Sequence, residues 1–144
     1  MTSQFVHLHL HTDYSLVDGL VRIKPLVKAA AASGMPAIAI TDNNNMFGVF
    51  EFSKECVKNN IQPIIGTSIN LLDIIVNNQI SQVTFLVKNE IGYRNLLELS
   101  SLSHLNEGNY VGIYFSQLEK FSEGLFCYIG GEFNPLLLRS EERR

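Results

Sequence analysis

Residues 5–19 read F-V-H-L-H-L-H-T-D-Y-S-L-V-D-G. Successive side chains of a strand point to opposite faces, so a strand over residues 6–10 sets Val6, Leu8 and Leu10 on one face and His7, His9 and His11 on the other. Three imidazoles then share one wall. Histidine is only intermediate in its tendency to be buried and needs partners for two ring nitrogens, so such alternation is uncommon as packing alone. Divalent metals take imidazole nitrogen readily, and Asp13 or Asp18 in the following turn can add a carboxylate. The competing reading is a strand whose polar face is simply solvated. Of the two, the metal-site wall is favoured.

The rest of the chain alternates strand and helix signals. Pro25 sits where a first helical turn tolerates proline, and residues 26–33 are Ala-rich up to Gly34 and Pro36, a short helix with a clean stop. Residues 37–40 form a four-residue apolar run, typical of a strand buried on both faces, which delivers Thr41 and Asp42 at its C-terminal end. Asp42 is thereby placed like an active-site carboxylate. Asn43, Asn44 and Asn45 make a turn and a cap, after which Phe47, Phe50, Lys54 and Val57 mark one side of a second helix ending near Asn59 and Asn60. Residues 61–65 read as a third strand closed by Gly66, and 69–76 as a fourth. Asn77 and Asn78 suggest a hairpin into a fifth strand at 83–87. Asn89 caps a helix over 91–103 whose stripe is Leu96, Leu99 and the Tyr93/Leu97 pair. Residues 110–114 read as extended, Ser116 as the cap of a helix over 117–121, and 125–129 as a last strand before Gly130 and Gly131. Asn134 and Pro135 start a helix the chain barely enters. This order argues an α/β fold with mostly parallel strands.

The opening stretch resembles the first motif of the polymerase and histidinol phosphatase (PHP) domain, in the version at the N-terminus of bacterial DNA polymerase III alpha subunits, F-x-H-L-H-x-H-[ST]-x-Y-S-x-x-D-G. Phe5, His7, Leu8, His9, His11, Thr12, Tyr14, Ser15, Asp18 and Gly19 all fit it. Further stretches resemble the family in its order: P-A-I-A-I-T-D at 36–42, N-x-M-F-G ending at Gly48, I-x-P-I-I-G at 61–66, K-N-E-x-G-Y-R-N-L-L-x-L-S-S at 88–101, and E-G-L-F-x-x-x-G-G-E at 123–132. The resemblance implies a distorted seven-stranded β/α barrel. A 144-residue chain is about half to two-thirds of such a domain, so the expectation is one PHP segment over residues 1–144, truncated at its C-terminal end, with an open, incomplete barrel. The closing E-E-R-R matches nothing in the family pattern.

The resemblance also implies a site. Active members hold a metal cluster that activates water and clamps phosphoryl oxygens, and His9, His11, Asp18 and Asp42 stand at ligand or near-ligand positions of that pattern. Other positions have changed. The family's T-D-H-G-N is Thr41, Asp42, Asn43, Asn44, Asn45 here, so Asn43 replaces a ligand histidine. Ser68 stands where the family has a glutamate, Gln82 where it has a histidine, and a last Asp-x-His motif would fall beyond Arg144. Neutral amides and hydroxyls bring no charge to balance several cations, so a multi-metal hydrolytic site is not expected. What remains is a vestigial site, with the histidines bonded to Asp18, Asp42 and Asn43. If it holds any cofactor, it is one divalent ion, zinc or manganese, on His9, His11 and Asp18. His104, in a polar stretch, reads as solvated.

Composition bounds the rest. The chain is 46% hydrophobic with a formal charge of -3, and its Lys and Arg are scattered, so it lacks the basic stripe of a protein that grips phosphate backbones alone. There is no G-x-G-x-x-G, G-x-x-x-x-G-K-[ST] or G-x-S-x-G. No apolar run approaches a membrane span and no signal peptide is apparent, which gives a cytoplasmic expectation with no membrane partner. Cys56 and Cys127 have no C-x-x-C spacing and read as core residues or free thiols. The resemblance implies the N-terminal PHP segment of a replicative DNA-directed DNA polymerase, with a non-catalytic degenerate site serving as scaffold and docking surface for the proofreading exonuclease. Its partners would be the remainder of the alpha subunit and that exonuclease, with DNA engaged only through the complete polymerase. The alternative is a free-standing metal-dependent PHP phosphoesterase.

Overall fold

The structure, a computed structural model, describes residues 5–16, 19–76 and 79–129. A 3-10 turn at Asp13–Ser15 is followed by α1 (Ile23–Ala32), β1 (Ala37–Ile40), α2 (Val49–Lys58), β2 (Gln62–Val76), β3 (Gln79–Val87), α3 (Glu90–Leu105), α4 (Phe115–Lys120) and β4 (Leu125–Tyr128). The sheet order is β1-β2-β3-β4. Among the strands of the described residues, β1 and β2 pair in parallel, and β2/β3 and β3/β4 are antiparallel. The α/β expectation holds, but the sheet is mixed where mostly parallel strands were expected. The reason is local: Val76 pairs with Gln79 across a two-residue connection, and only antiparallel strands can be joined so tightly. Asn77 and Asn78 themselves lie outside the described residues, as do Gly130, Gly131, Asn134 and Pro135.

The opening segment departs from its reading as a regular strand. It runs along the edge of β1, where the Ala39 N–H donates to the His7 carbonyl at 2.9 Å and the Thr41 N–H to the Leu10 carbonyl at 2.9 Å. Two steps on β1 therefore match three on the opening segment, and the extra residue breaks the pleat as a bulge does. The Thr41 hydroxyl takes up the Leu10 N–H at 2.7 Å. Leu8 is left exposed while Leu10 packs on the core, so the clean apolar face of the alternation is lost.

Gly66 does not close a strand, because β2 runs through it as one 15-residue element. A Cβ there would lie 2.3 Å from the Phe85 carbonyl oxygen of β3, so glycine marks a close approach of two backbones. Register then sorts the side chains. Ile40 and Ile65 pair and share one face with Ile69, Leu71, Val83 and Phe85, and every described helix that contributes to the two cores packs there. The first core joins Ile23, Val27 and Ala30 of α1 to Ile38 and Ile40 of β1 and to Val49, Phe52 and Cys56 of α2. The second joins Ile69, Leu71, Val83 and Phe85 to Leu96 and Leu99 of α3 and to Ile113. Met46 packs against both.

The helices follow the sequence with corrected faces. α2 carries two apolar stripes: Val49, Phe52 and Cys56 are buried, whereas Phe50 and Val57, with Phe47 just before the N-cap, are exposed. Period alone cannot choose between two stripes. Asn45 does not cap this helix; its side chain accepts from the Phe47 N–H at 3.1 Å in a local turn, and the N-cap is Gly48. Asn89 caps α3 by accepting from the Gly92 N–H at 3.0 Å, as expected. Tyr93 and Leu97 of α3 are exposed, and the buried positions are Gly92, Leu96, Leu99 and Ser103. α4 begins at Phe115 with Tyr114 as N-cap, so Ser116 lies inside it; the Tyr114 N–H donates to Gln117 Oε1 at 2.9 Å. Residues 110–114 carry one parallel bridge, Leu71 to Ile113. The sheet ends among the described residues at β4, where Phe126 and Tyr128 are exposed.

Candidate functional site

The polar cluster lies on the sheet face away from the helices. Ser68 pairs with Thr84 and Asn70 with Gln82, so the alternation that sends Ile69 and Val83 to the core sends these four the other way. β1 ends beside them, and a parallel bridge of Asn43 to Ser68 continues its pairing past Asp42. The cluster thus sits at the C-terminal end of β1, where α/β sheets commonly carry their sites.

Asp42 is 1% exposed and anchors the opening segment. Its Oδ1 accepts from the Thr12 N–H at 2.5 Å and the Ser15 hydroxyl at 2.6 Å, and its Oδ2 from the Thr12 hydroxyl at 2.8 Å. The Asp42 carbonyl accepts from the Thr67 hydroxyl at 2.7 Å. A carboxylate receiving three local donors is held rigidly. The partners seen for this carboxylate are thus Thr12 and Ser15, not the expected histidines.

His9 and His11 do come together, with ring centroids 4.7 Å apart. His7 lies edge-on against Phe5 at 4.6 Å. His9 Nδ1 and the Thr84 hydroxyl are 3.2 Å apart, the Thr84 and Ser68 hydroxyls 2.8 Å, and the Ser68 hydroxyl donates to the Thr41 carbonyl at 3.3 Å. With Ser68 so committed, each hydroxyl donates once if His9 carries its proton on Nδ1, and Nε2 keeps its lone pair. Burial, with a smaller contribution from the neighbouring His11 charge, holds the His9 pKa below its usual value. Among the described residues, His11 Nε2 is buried without a hydrogen-bond partner.

Two of the three changed positions, Asn43 and Gln82, are part of one neutral network, while the third, Ser68, belongs to the hydroxyl chain that ends on His9. Gln82 Nε2 donates to Asn43 Oδ1 at 3.1 Å and more weakly to Asn70 Oδ1 at 3.4 Å. Asn44 Oδ1 accepts from the Asn70 N–H at 3.0 Å, and Asn70 Nδ2 donates to the Val111 carbonyl at 2.9 Å. Asn45 Nδ2 donates to the carbonyls of Tyr14 at 3.0 Å and Asn43 at 2.9 Å. The amides tie the turn after β1 to β2, to β3 and to the turn before α4. Over them opens a cleft of about 440 Å³, lined in part by Ser15, Asn43, Asn70, Gln82, Phe47 and His104.

His104 is the residue that sequence reasoning missed. It lies in the last turn of α3 and donates from Nε2 to the Asn44 carbonyl at 2.7 Å, with its ring near-parallel to Phe47 at 6.4 Å. No motif or periodicity pointed to it, since the contact depends on how α3 docks.

Asp18 lies outside the described residues. Among the described residues no three His, Cys, Asp or Glu side chains gather in a group that could hold a metal ion. The donors that do meet the cluster are mainly amide and hydroxyl oxygens, which suit a hydrogen-bonded network better than a charged multi-metal centre. Asn43, Ser68 and Gln82 bring neutral amide and hydroxyl groups to this cluster.

The fold is similar to that of an amidohydrolase from Chromobacterium violaceum, solved with bound sulfate and no metal. The superposition covers 69% of this chain and 33% of that one, with a TM-score of 0.53 and 17% identity, a likeness of fold alone. The chain belongs to the PHP domain family, whose model matches residues 7–142. It is 39% identical over 144 residues to the DNA polymerase III subunit alpha of Buchnera aphidicola from Acyrthosiphon pisum, covering 96% of this chain and 12% of that protein. It is 43% identical over 150 residues to the DNA polymerase III subunit alpha of Pseudomonas aeruginosa, covering 100% of this chain and 13% of that protein. The homology is to the N-terminal region of those subunits. The chain thus spans about an eighth of the length of the curated relatives it matches. No described helix is long and apolar enough to cross a membrane.

Proposed function

We propose that this chain is the N-terminal PHP segment of a replicative DNA polymerase III alpha subunit, whose nucleotidyl transfer is carried by polypeptide outside this segment. His9, His11, Asp18 and Asp42 are the remnant of a metal site that no longer hydrolyses phosphoesters. The observation that carries this reading is the 3.1 Å bond from Gln82 to Asn43, in which two expected ligand positions are amides spent on each other. The most the surviving ligands would hold is one zinc or manganese ion on His9, His11 and Asp18. Freed from catalysis, the amide-lined cleft becomes scaffold and docking surface for the proofreading exonuclease. The formal charge of -3 supports DNA contact through the complete polymerase alone. The protein would work in the cytoplasm.

The test uses the complete PHP domain, unmodified and with Asn43→His, Ser68→Glu and Gln82→His together. The unmodified domain is expected to pull down the exonuclease subunit, to bind no duplex DNA at physiological salt, and to show no metal-dependent removal of 3′ ends. Activity in the unmodified domain that His9→Ala removes would overturn the reading. Activity confined to the restored domain would support a site lost from an active ancestor. Ser68 is fully buried, so its replacement by Glu is expected to destabilise the domain unless a cation is added.

A further inference from the structure

The cleft over the amides is lined without formal charge. Among the described residues no Lys, Arg, Asp or Glu borders its space of about 440 Å³, and besides amides, Ser15 and His104 the lining is Leu16, Phe47 and Val111. These three apolar side chains are 83%, 68% and 39% exposed. Leu16 also holds φ at +58°, which bulky side chains rarely adopt, and backbone strain of this kind gathers at functional sites. Phe47 is backed by the near-parallel His104 ring, which the Asn44 carbonyl holds in place.

Two amide atoms of this lining are unspent. Asn44 uses Oδ1 to accept from the Asn70 N–H, and Gln82 uses Nε2 to donate to Asn43 and Asn70, which leaves Asn44 Nδ2 as a donor and Gln82 Oε1 as an acceptor. Neither atom has a hydrogen-bond partner among the described residues. The buried side-chain atoms without partners are instead His11 Nε2 and Ser81 Oγ, so the two amide atoms are open to solvent. Both residues bond to Asn70, which keeps the free donor and the free acceptor in one neighbourhood. A carboxylate or phosphate entering here would lose water and gain no cation, which is costly. A peptide backbone beside an apolar side chain matches the lining, since it carries one acceptor and one donor per residue and no charge.

We propose that the cleft takes an uncharged, extended segment of the exonuclease subunit, with a backbone carbonyl on Asn44 Nδ2, a backbone N–H on Gln82 Oε1 and one apolar side chain against Leu16, Phe47 and Val111. The proposal rests on the docking role proposed above and adds the chemistry of the segment that docks. The apolar contact supplies the affinity, and the two amide bonds set the direction of the chain. Because no charge is involved, salt leaves this contact unchanged.

The probe is the fluorescein-labelled exonuclease subunit, titrated with the complete alpha subunit at about 0.1 M and about 0.5 M salt and read by anisotropy. Phe47→Ser is expected to weaken binding about tenfold, by the same factor at both salt concentrations. Asn44→Asp keeps the oxygen that serves Asn70 but turns the free donor into a charged acceptor, and is expected to weaken binding about tenfold as well. Phe47 is so exposed that its replacement should leave the melt unchanged. Binding that neither substitution changes would overturn this placement and leave the docking role standing, whereas no binding by the unmodified subunit would overturn both. A Phe47→Ser loss that vanishes at high salt would overturn the uncharged occupant. So would single-stranded DNA binding lost in both variants, which would give the cleft to a nucleobase, and so would a lowered melting temperature in Phe47→Ser, which would give it to the rest of the alpha subunit.

Discussion

Asp42 shows how a residue can keep a family position while its described contacts are structural. Its carboxylate gathers one N–H and two hydroxyls from Thr12 and Ser15, so it fastens the opening segment to the end of β1. Asp42→Asn keeps one acceptor oxygen and should cost about 1 kcal/mol, while Asp42→Ala leaves three buried donors unserved and should cost about 3 kcal/mol, both read from urea unfolding. The two cysteines provide a second prediction at this scale. Cys127 is exposed and Cys56 is buried. Burial, and secondarily the Glu55 charge, push the Cys56 thiol up to about 11. A group with a raised folded pKa contributes stability that is present below its unfolded value and lost as pH rises through the folded one. The urea midpoint should therefore fall as pH rises from about 9 toward 11, and fall less steeply in Cys56→Ala. At pH 8 a thiol reagent should modify Cys127 first and Cys56 only after unfolding.

At the scale of elements, Gly66 decides whether β2 and β3 can pair. Gly66→Ala would drive a methyl into the Phe85 carbonyl, and the expected cost is about 1 to 3 kcal/mol in the thermal melt, with loss of β3 protection in hydrogen exchange. This glycine also shows where sequence reading stops. A glycine between two apolar runs reads equally as an end or as a close approach, and only the partner strand distinguishes them. By contrast β1 was legible because four apolar residues followed by Thr41 and Asp42 have few other solutions, and α3 because Asn89 is a cap with a local mechanism. The two apolar stripes of α2, the bulged register of residues 7–10 and the reach of His104 to Asn44 all depend on tertiary docking. The periodicity of the sequence decides none of them. Within the candidate site, the meeting of His9 with His11 and of Asn43 with Gln82 was legible, whereas their hydrogen-bond partners Thr84 and Asn70 were not.

For the whole molecule, the sheet face that carries the polar cluster also carries Phe126 and Tyr128 of β4, both exposed, since Leu86 pairs with Phe126 and Thr84 with Tyr128. An apolar strand at a sheet edge pairs readily with other chains. The 144-residue chain should accordingly bind a hydrophobic dye and aggregate on concentration, and Phe126→Lys with Tyr128→Glu should raise its solubility without lowering its melting temperature; a soluble, sharply melting monomer without these changes would count against an open sheet. Two cores share this sheet, and Met46 is packed against each of them. That makes one thioether a mechanical joint between halves that each have their own helices. Its consequence is thermodynamic: while Met46 stays in place the halves should melt in a single calorimetric transition, and Met46→Ala should broaden that transition, because adjacency along β2 and the polar ties from the turn after β1 would then be left to make two folding units behave as one.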